Sequence, residues 1–382
     1  MKAVYDGYGK DFTQVDWNTP DWEMLSKLTQ NVFQFSSAKC YQELRDITNA
    51  LRDENGMLRE FAEFRDAVGG IDEKYNRTWL ETEYNTAIAS ATTAARWTEF
   101  QREKHWFPML EYQTVGDDKV RKDHAALNGV KKHADDDFWK IYYPPNGWNC
   151  RCEAIQCPDA EAPETPDERI TPPAVQRMFQ TNLAETGLIF PKGHPYYKGC
   201  PRKVLIQSMK CLPADACYTS EAVGNGFVNE SLLVEGGDVV VNKKLAKLMA
   251  KEYNATVTLL PEFDGTQPEL RKRMITDFLE NQKINLPNAV KNGFKTPDCI
   301  LNIDGQKTLL ELKGTNGGFS SFDSDLRDAN KKSHAVLLHS TTKDFKEIIR
   351  DIKNVRDSHK NNIETFYIKT NDGLSKITKG EL

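Results

Sequence analysis

Asp298, Glu311 and Lys313 have the types and spacing to carry out metal-assisted chemistry. They lie around two short apolar runs, Ile300-Leu301-Asn302-Ile303 and Leu309-Leu310-Glu311-Leu312, with Asp304-Gly305 in the gap between the runs. Asp-Gly is a strong signal for a two-residue hairpin turn, whose central positions both need positive φ. With the turn there, Ile303 faces Gln306, and counting outward puts Asp298 opposite Glu311. Opposed residues in a ladder point to one face, so the two carboxylates converge and Lys313 joins them. Like charges directly opposite destabilise a hairpin, which makes a cation the natural occupant between them. Two carboxylates suit Mg²⁺ or Mn²⁺. Such an ion polarises a phosphoryl group and supplies an activated water, and Lys313 would neutralise a phosphate oxygen. The expected reaction is phosphodiester hydrolysis. The competing reading is a surface hairpin with a solvated charged face.

A second set of residues could hold a metal. Cys150 and Cys152 flank one residue, and with His124 or Cys157 they could form a structural Zn²⁺ site of Cys₂His or Cys₃His type. The Cys-x-Cys spacing is tighter than the usual zinc pattern. The alternative is packing: His124, Trp139 and Trp148 as core residues and the thiols as buried hydrophobes. Asp135-Asp136-Asp137 reads as a solvated loop rather than a metal cluster. Cys200, Cys211 and Cys217 leave metal binding and disulfide formation equally open. Eight cysteines in 382 residues do not indicate a disulfide scaffold.

Composition is that of an ordinary water-soluble chain, with 39% hydrophobic and 28% charged residues. No apolar run approaches the roughly 18 residues of a membrane span. Residues 1–10 lack the apolar core of a signal peptide, so cytoplasmic synthesis is expected. The net charge of −5 is uneven: +2 from Val228 onward and −7 before it. The C-terminal part is therefore no strongly basic nucleic-acid binder, and a polyanion would need locally concentrated positive charge.

The elements that must position these residues follow from periodicity. Residues 1–20 read as an arm and 21–67 as helical, and a long helix is expected over 72–103. The composition of 158–166 is that of a linker, with a short helix expected at 174–183. After residue 229 the spacing predicts helix 242–253, strand 256–260, helix 268–282, the hairpin, helix 323–332, strand 335–339, helix 343–359 and strand 363–369. The Gly-rich run 314–318 lacks a Walker Lys-Ser/Thr, which speaks against a nucleotide site.

Two family resemblances follow from specific residues. Arg121-x-x-His124, Leu127-x-Gly129, Asp137-Phe138-Trp139 and Pro144-Pro145-x-x-Trp148-x-Cys150-Arg151-Cys152 resemble the phage Mu F-like head-morphogenesis family, over roughly residues 20–200. That resemblance implies a minor capsid protein assembled near the portal. Pro297-Asp298 and Glu311-Leu312-Lys313, with the element order after 235, resemble the PD-(D/E)XK nuclease core. More narrowly, this region is similar to the C-terminal tRNA-cleaving toxins of contact-dependent inhibition proteins. This second resemblance implies a Mg²⁺- or Mn²⁺-dependent nuclease toxin with tRNA as the leading substrate and an immunity protein as partner. It also implies supporting roles for Glu252 on the first helix and for the helix after the hairpin, which offers Asn330, Lys331 and Lys332, with Lys331 the chosen candidate. His339, at a strand end, could approach the same site.

The expected class is multidomain α+β. A mostly helical head domain spans 1–157, a linker and pretoxin-like segment 158–227, and an α/β restriction-endonuclease-like domain with a mixed sheet 228–382. The expected locations are the producing cell's cytoplasm, the virion and the target cell's cytoplasm, with no membrane. Two other functions compete: a structural head protein with an inactive tail, and a DNA endonuclease of phage genome processing.

Overall fold

The helix Pro20–Asn49 begins on strong start signals: the Thr19 hydroxyl accepts from the Trp22 N–H, Pro20 opens the first turn, and Asp21 and Glu23 face the positive helix end. It and the helix Leu80–Glu103 carry the first of two units, Met1–Leu212; the second is Pro213–Leu382. The computed structural model describes every residue except 160, 172–173, 234–238, 264–266 and 294. Among the described residues, no helix is long and apolar enough to cross a membrane.

In the first unit, Leu25, Leu28, Phe35 and Ala38 pack with Ala87, Ala91, Ala94 and Trp97 in one core. A three-stranded antiparallel sheet adjoins it, with β1 (Met109–Gln113) between β2 (Lys131–His133) and β3 (Glu153–Gln156). Residues 1–20 are more than an arm. Lys2–Tyr8 is a helix that buries Val4 and Tyr8 in this core.

The expected linker is built into the first unit. Thr165 exchanges hydrogen bonds with Lys131, its N–H reaching the Lys131 carbonyl at 2.9 Å while its Oγ1 accepts from the Lys131 N–H at 3.0 Å. Farther on, buried Asn31 holds the chain at 189–190: its Oδ1 accepts from Ile189 N and Phe190 N, and its amide donates to Phe190 O. In place of the helix expected at 174–183 there is a 3₁₀ turn, Arg177–Phe179, and a single helical turn, Leu183–Thr186.

The second unit is an eight-stranded mixed sheet. Its strands are β4 (Tyr218–Val223), β5 (Gly226–Ser231), β6 (Thr256–Leu259), β7 (Cys299–Ile303), β8 (Gln306–Gly314), β9 (Ala335–His339), β10 (Thr365–Thr370) and β11 (Gly373–Thr378), paired in consecutive order. The β5–β6, β8–β9 and β9–β10 pairs are parallel and the others antiparallel. The domain start expected at 228 falls inside β5, so the unit begins earlier, before the β4–β5 hairpin. Gly226 opens β5 because a Cβ there would lie 2.4 Å from the Ala255 carbonyl oxygen and 2.5 Å from that of Ala250.

The two faces of this sheet have different covers. Val257, Cys299, Leu301, Leu310, Leu312 and Leu337 pack under the helix Val239–Tyr253. Val336, Leu338, Phe366 and Ile368 pack under the helices Phe319–Lys332 and Phe345–Asn354. This separation decides which candidate residues can meet.

Candidate functional site

The turn between β7 and β8 has the expected backbone, with φ of 49° at Asp304 and 84° at Gly305. Register follows from it: Ile303 pairs with Gln306 and Cys299 with Leu310, so Asp298, one step before β7, stands at the level of Glu311. Asp298 Oδ2 accepts from the Leu312 N–H at 2.7 Å, which fixes the carboxylate against β8. Side chains alternate along β8. Leu310 and Leu312 enter the core under Val239–Tyr253. Glu311 and Lys313, paired with Val336 and Leu338 across β9, point to the opposite face, under Phe319–Lys332.

Glu311 is fully buried. Its Oε1 lies 2.6 Å from Lys332 Nζ and 3.0 Å from Lys313 Nζ. Both ammonium groups therefore bear on the same carboxylate oxygen at ion-pair distance. Asp328 closes the cluster, 3.2 Å from Lys332, 3.4 Å from Lys313 and 2.8 Å from Lys295.

The electrostatics follow from this packing. Burial first, then the Glu311 charge, pushes the Asp298 carboxyl up to about 7, while the Leu312 N–H, Lys332 and Lys313 pull the other way. Burial opposes the charge on Lys313 and Lys332, but the attraction of Glu311 outweighs it and both lie above the ordinary lysine value. Burial disfavours the Asp328 charge too, yet Lys295, Lys332 and Lys313 hold it well below the carboxylate range. Burying a carboxylate costs free energy even when it is ion-paired. Such clusters are weak stability devices and frequent functional ones. Asp298 and Glu311 offer carboxylate oxygens, the ligand type that fits Mg²⁺ or Mn²⁺, with the Lys313 and Lys332 ammonium groups against Glu311.

The structure brings Asp298, Glu311 and Lys313 together and leaves three other candidates out. Lys331 is exposed; its neighbour Lys332 enters the site. The helix's apolar stripe, Phe322, Leu326 and Ala329, sets this rotation, and Asp328 and Lys332 follow it at i, i+4. That stripe was the sequence signal for choosing Lys332 over Lys331 and for Asp328, which residue-by-residue reading missed. Glu252 is exposed at the end of the helix covering the opposite face, and its electrostatic neighbour is Tyr253. His339 pairs with Gly314, so alternation turns it away from the Glu311 face, and Lys369 is the charge that acts on it.

In the first unit, His124, Cys150 and Cys152 converge, all three buried, with their ligand atoms within 4.8 Å of one another. His124 lies on the short helix Lys122–Ala125. The two cysteines lie on the segment entering β3, whose Gly147-Trp148 end Arg121 grips by donating to the Trp148 carbonyl. The thiols are coupled: the hydrogen bond from Cys152 favours a thiolate at Cys150 and correspondingly raises Cys152. Cys157 is not part of this group. It packs with Met109 and Ala162 in a separate cluster, because five residues of extended chain carry it along β3.

Residues 40–155 match the family described as Phage Mu protein F like protein, so the chain carries a Phage Mu F-like domain. The putative capsid assembly protein F of Escherichia phage Mu is 40% identical over 73 residues, 19% of this chain and 17% of that protein. The Mu-like prophage FluMu F protein of Haemophilus influenzae is 38% identical over 76 residues, 20% of this chain and 17% of that protein. The matched stretch thus spans less than a fifth of either relative. The domain match is narrower than the resemblance expected over 20–200. No solved structure matches the chain significantly.

Proposed function

We propose that this chain is a phage or prophage minor head protein whose C-terminal unit is a metal-dependent nuclease toxin of PD-(D/E)XK type, with tRNA as its substrate. The observation that carries the nuclease reading is the Asp298–Glu311 pair: two carboxylates aimed at one face across a hairpin, with Lys313 and Lys332 against them. The head reading is supported by the Mu F-like domain and by the capsid-assembly name of its phage Mu relative. Portal and capsid proteins are its partners on that side. A producing cell also needs an immunity protein covering the Asp298–Glu311 face.

Asp298 and Glu311 would hold Mg²⁺ or Mn²⁺, which supplies Lewis-acid polarisation of the phosphodiester and an activated water. The remaining roles belong to the chain. Lys313 and Lys332, held cationic by the acids, offer positive charge where a phosphate oxygen becomes more negative. The Leu312 N–H keeps Asp298 oriented toward the gap. Lys295 adds a third cation to Asp328, at 2.8 Å.

The test is incubation of the full chain with total RNA and with plasmid DNA, in Mg²⁺ or in EDTA. Cleaved tRNA in Mg²⁺ alone, lost in Glu311→Ala, is the expected result. Broken DNA with intact tRNA would transfer the activity to genome processing. A soluble, folded chain that cuts neither would leave the structural head role.

A further inference from the structure

The His124–Cys150–Cys152 group lies in the other unit and stands apart from the nuclease reading. Zinc bonds of about 2.3 Å to sulfur and about 2.0–2.1 Å to nitrogen, opened to a tetrahedral angle, separate the two ligand atoms by about 3.5–3.6 Å. Cys150 Sγ and Cys152 Sγ each lie 3.6 Å from His124 Nδ1. Both contacts also have the length of thiol–imidazole hydrogen bonds, and one ring nitrogen shared by two thiols is the arrangement a single ion would replace. Both sulfurs and the ring are buried, and their surroundings are built to hold them. The Tyr112 hydroxyl donates to Asn146 at 3.0 Å beneath the cysteine segment. The bidentate Arg151–Asp117 pair, at 2.6 and 2.8 Å, ties the residue between the cysteines to the opposite loop.

We propose that His124 Nδ1, Cys150 Sγ and Cys152 Sγ bind one Zn²⁺ whose fourth ligand is solvent. Two thiolates and a neutral imidazole give a site of no net charge with the ion, which lowers the cost of burying it. Among the described residues the ligand group has three members and no fourth. Cys157, the obvious fourth donor by sequence, packs against Met109 and Ala162. All three ligands instead border a cavity of about 210 Å³, ample for several waters. Its lining includes Lys119 and Arg121, whose positive charge favours small anions at the open position, while Arg151 is neutralised by Asp117. The ion clamps the Lys122–Ala125 turn to the entry of β3, joining two segments that otherwise meet through side chains alone.

The test uses the full chain purified from zinc-supplemented cells. Elemental analysis is expected to find near-stoichiometric zinc, falling to background in Cys152→Ser and His124→Ala and unchanged in Cys157→Ser. Cobalt substitution of the wild-type chain gives a readout that does not depend on a variant folding. Thiolate-to-cobalt charge-transfer bands and tetrahedral visible bands are expected, and added azide should shift the visible bands by entering the solvent position. A wild-type chain free of zinc that forms no cobalt–thiolate bands overturns the site. Loss of zinc in Cys157→Ser, or cobalt bands indifferent to azide, overturns the open fourth position.

Discussion

Glu311→Gln removes one charge from the centre of the C-terminal cluster while keeping the side-chain volume. Glu311 is 0% exposed and has two ammonium groups 2.6 and 3.0 Å from one oxygen. Removing one partner of a buried pair commonly costs about 3–5 kcal/mol. The cost is smaller here. Lys332 and Lys313 retain Asp328 at 3.2 and 3.4 Å, and their side chains are 12% and 20% exposed. Asp298 also loses the like charge that helps raise it. The net destabilisation is expected at about 1–3 kcal/mol, a drop of roughly 2–10 °C in Tm for a unit of this size. Catalysis should suffer far more, by about 10²–10³-fold, because a key electrostatic contributor is gone. Calorimetry in Mg²⁺ and in EDTA, run beside the cleavage assay, separates the two effects. The wild-type C-terminal transition should rise in Mg²⁺ by about 2.7 kcal/mol at a hundredfold excess over Kd, and the variant's should not. Wild-type cleavage by Glu311→Gln, or an unchanged Mg²⁺ shift, would refute the carboxylate's role as a ligand.

Three further outcomes are expected. Lys332→Met should abolish turnover and leave Mg²⁺ binding in place, whereas Lys331→Met should be silent; equal activity in both, measured as initial cleavage rate, would remove Lys332 from the site. The Asp298 carboxyl is raised from 3.8 to about 7 in the folded chain. Its folded form therefore holds the proton more tightly: without cation, its contribution to stability is full below the unfolded value and is lost as pH rises toward 7. Cation binding needs the ionised form, so Mg²⁺ affinity by titration calorimetry should climb through that same interval, and a flat profile from pH 5 to 8 would exclude the assignment. A fragment beginning at Pro213 should fold, while one beginning at 228 should be insoluble or molten, because it lacks β4 and the first two residues of β5 and bares the edge of what remains of β5; cooperative unfolding of the shorter fragment would show that the hairpin is dispensable.

Local signals in the sequence were enough for the hairpin. Asp304-Gly305 dictates the turn, the turn sets the register, and the register places Asp298 across from Glu311, all within 16 residues of chain. The strand 335–339 was equally local and equally legible. The sequence also singled out His124, Cys150 and Cys152, but left Cys157 beside them as an equal. What periodicity could not state is which face of the sheet each covering helix takes. That choice excludes Glu252 and His339 and admits Lys332 and Asp328, and it depends on how the apolar stripes of separate helices share one sheet. The 158–227 region shows the same limit. Its prolines and weak period read as linker, yet Asn31 and Lys131 hold part of it, because these partners lie far away in sequence. Turn chemistry and capping act between neighbours and can be read along the chain; burial and pairing act between distant segments, and only the folded chain decides them.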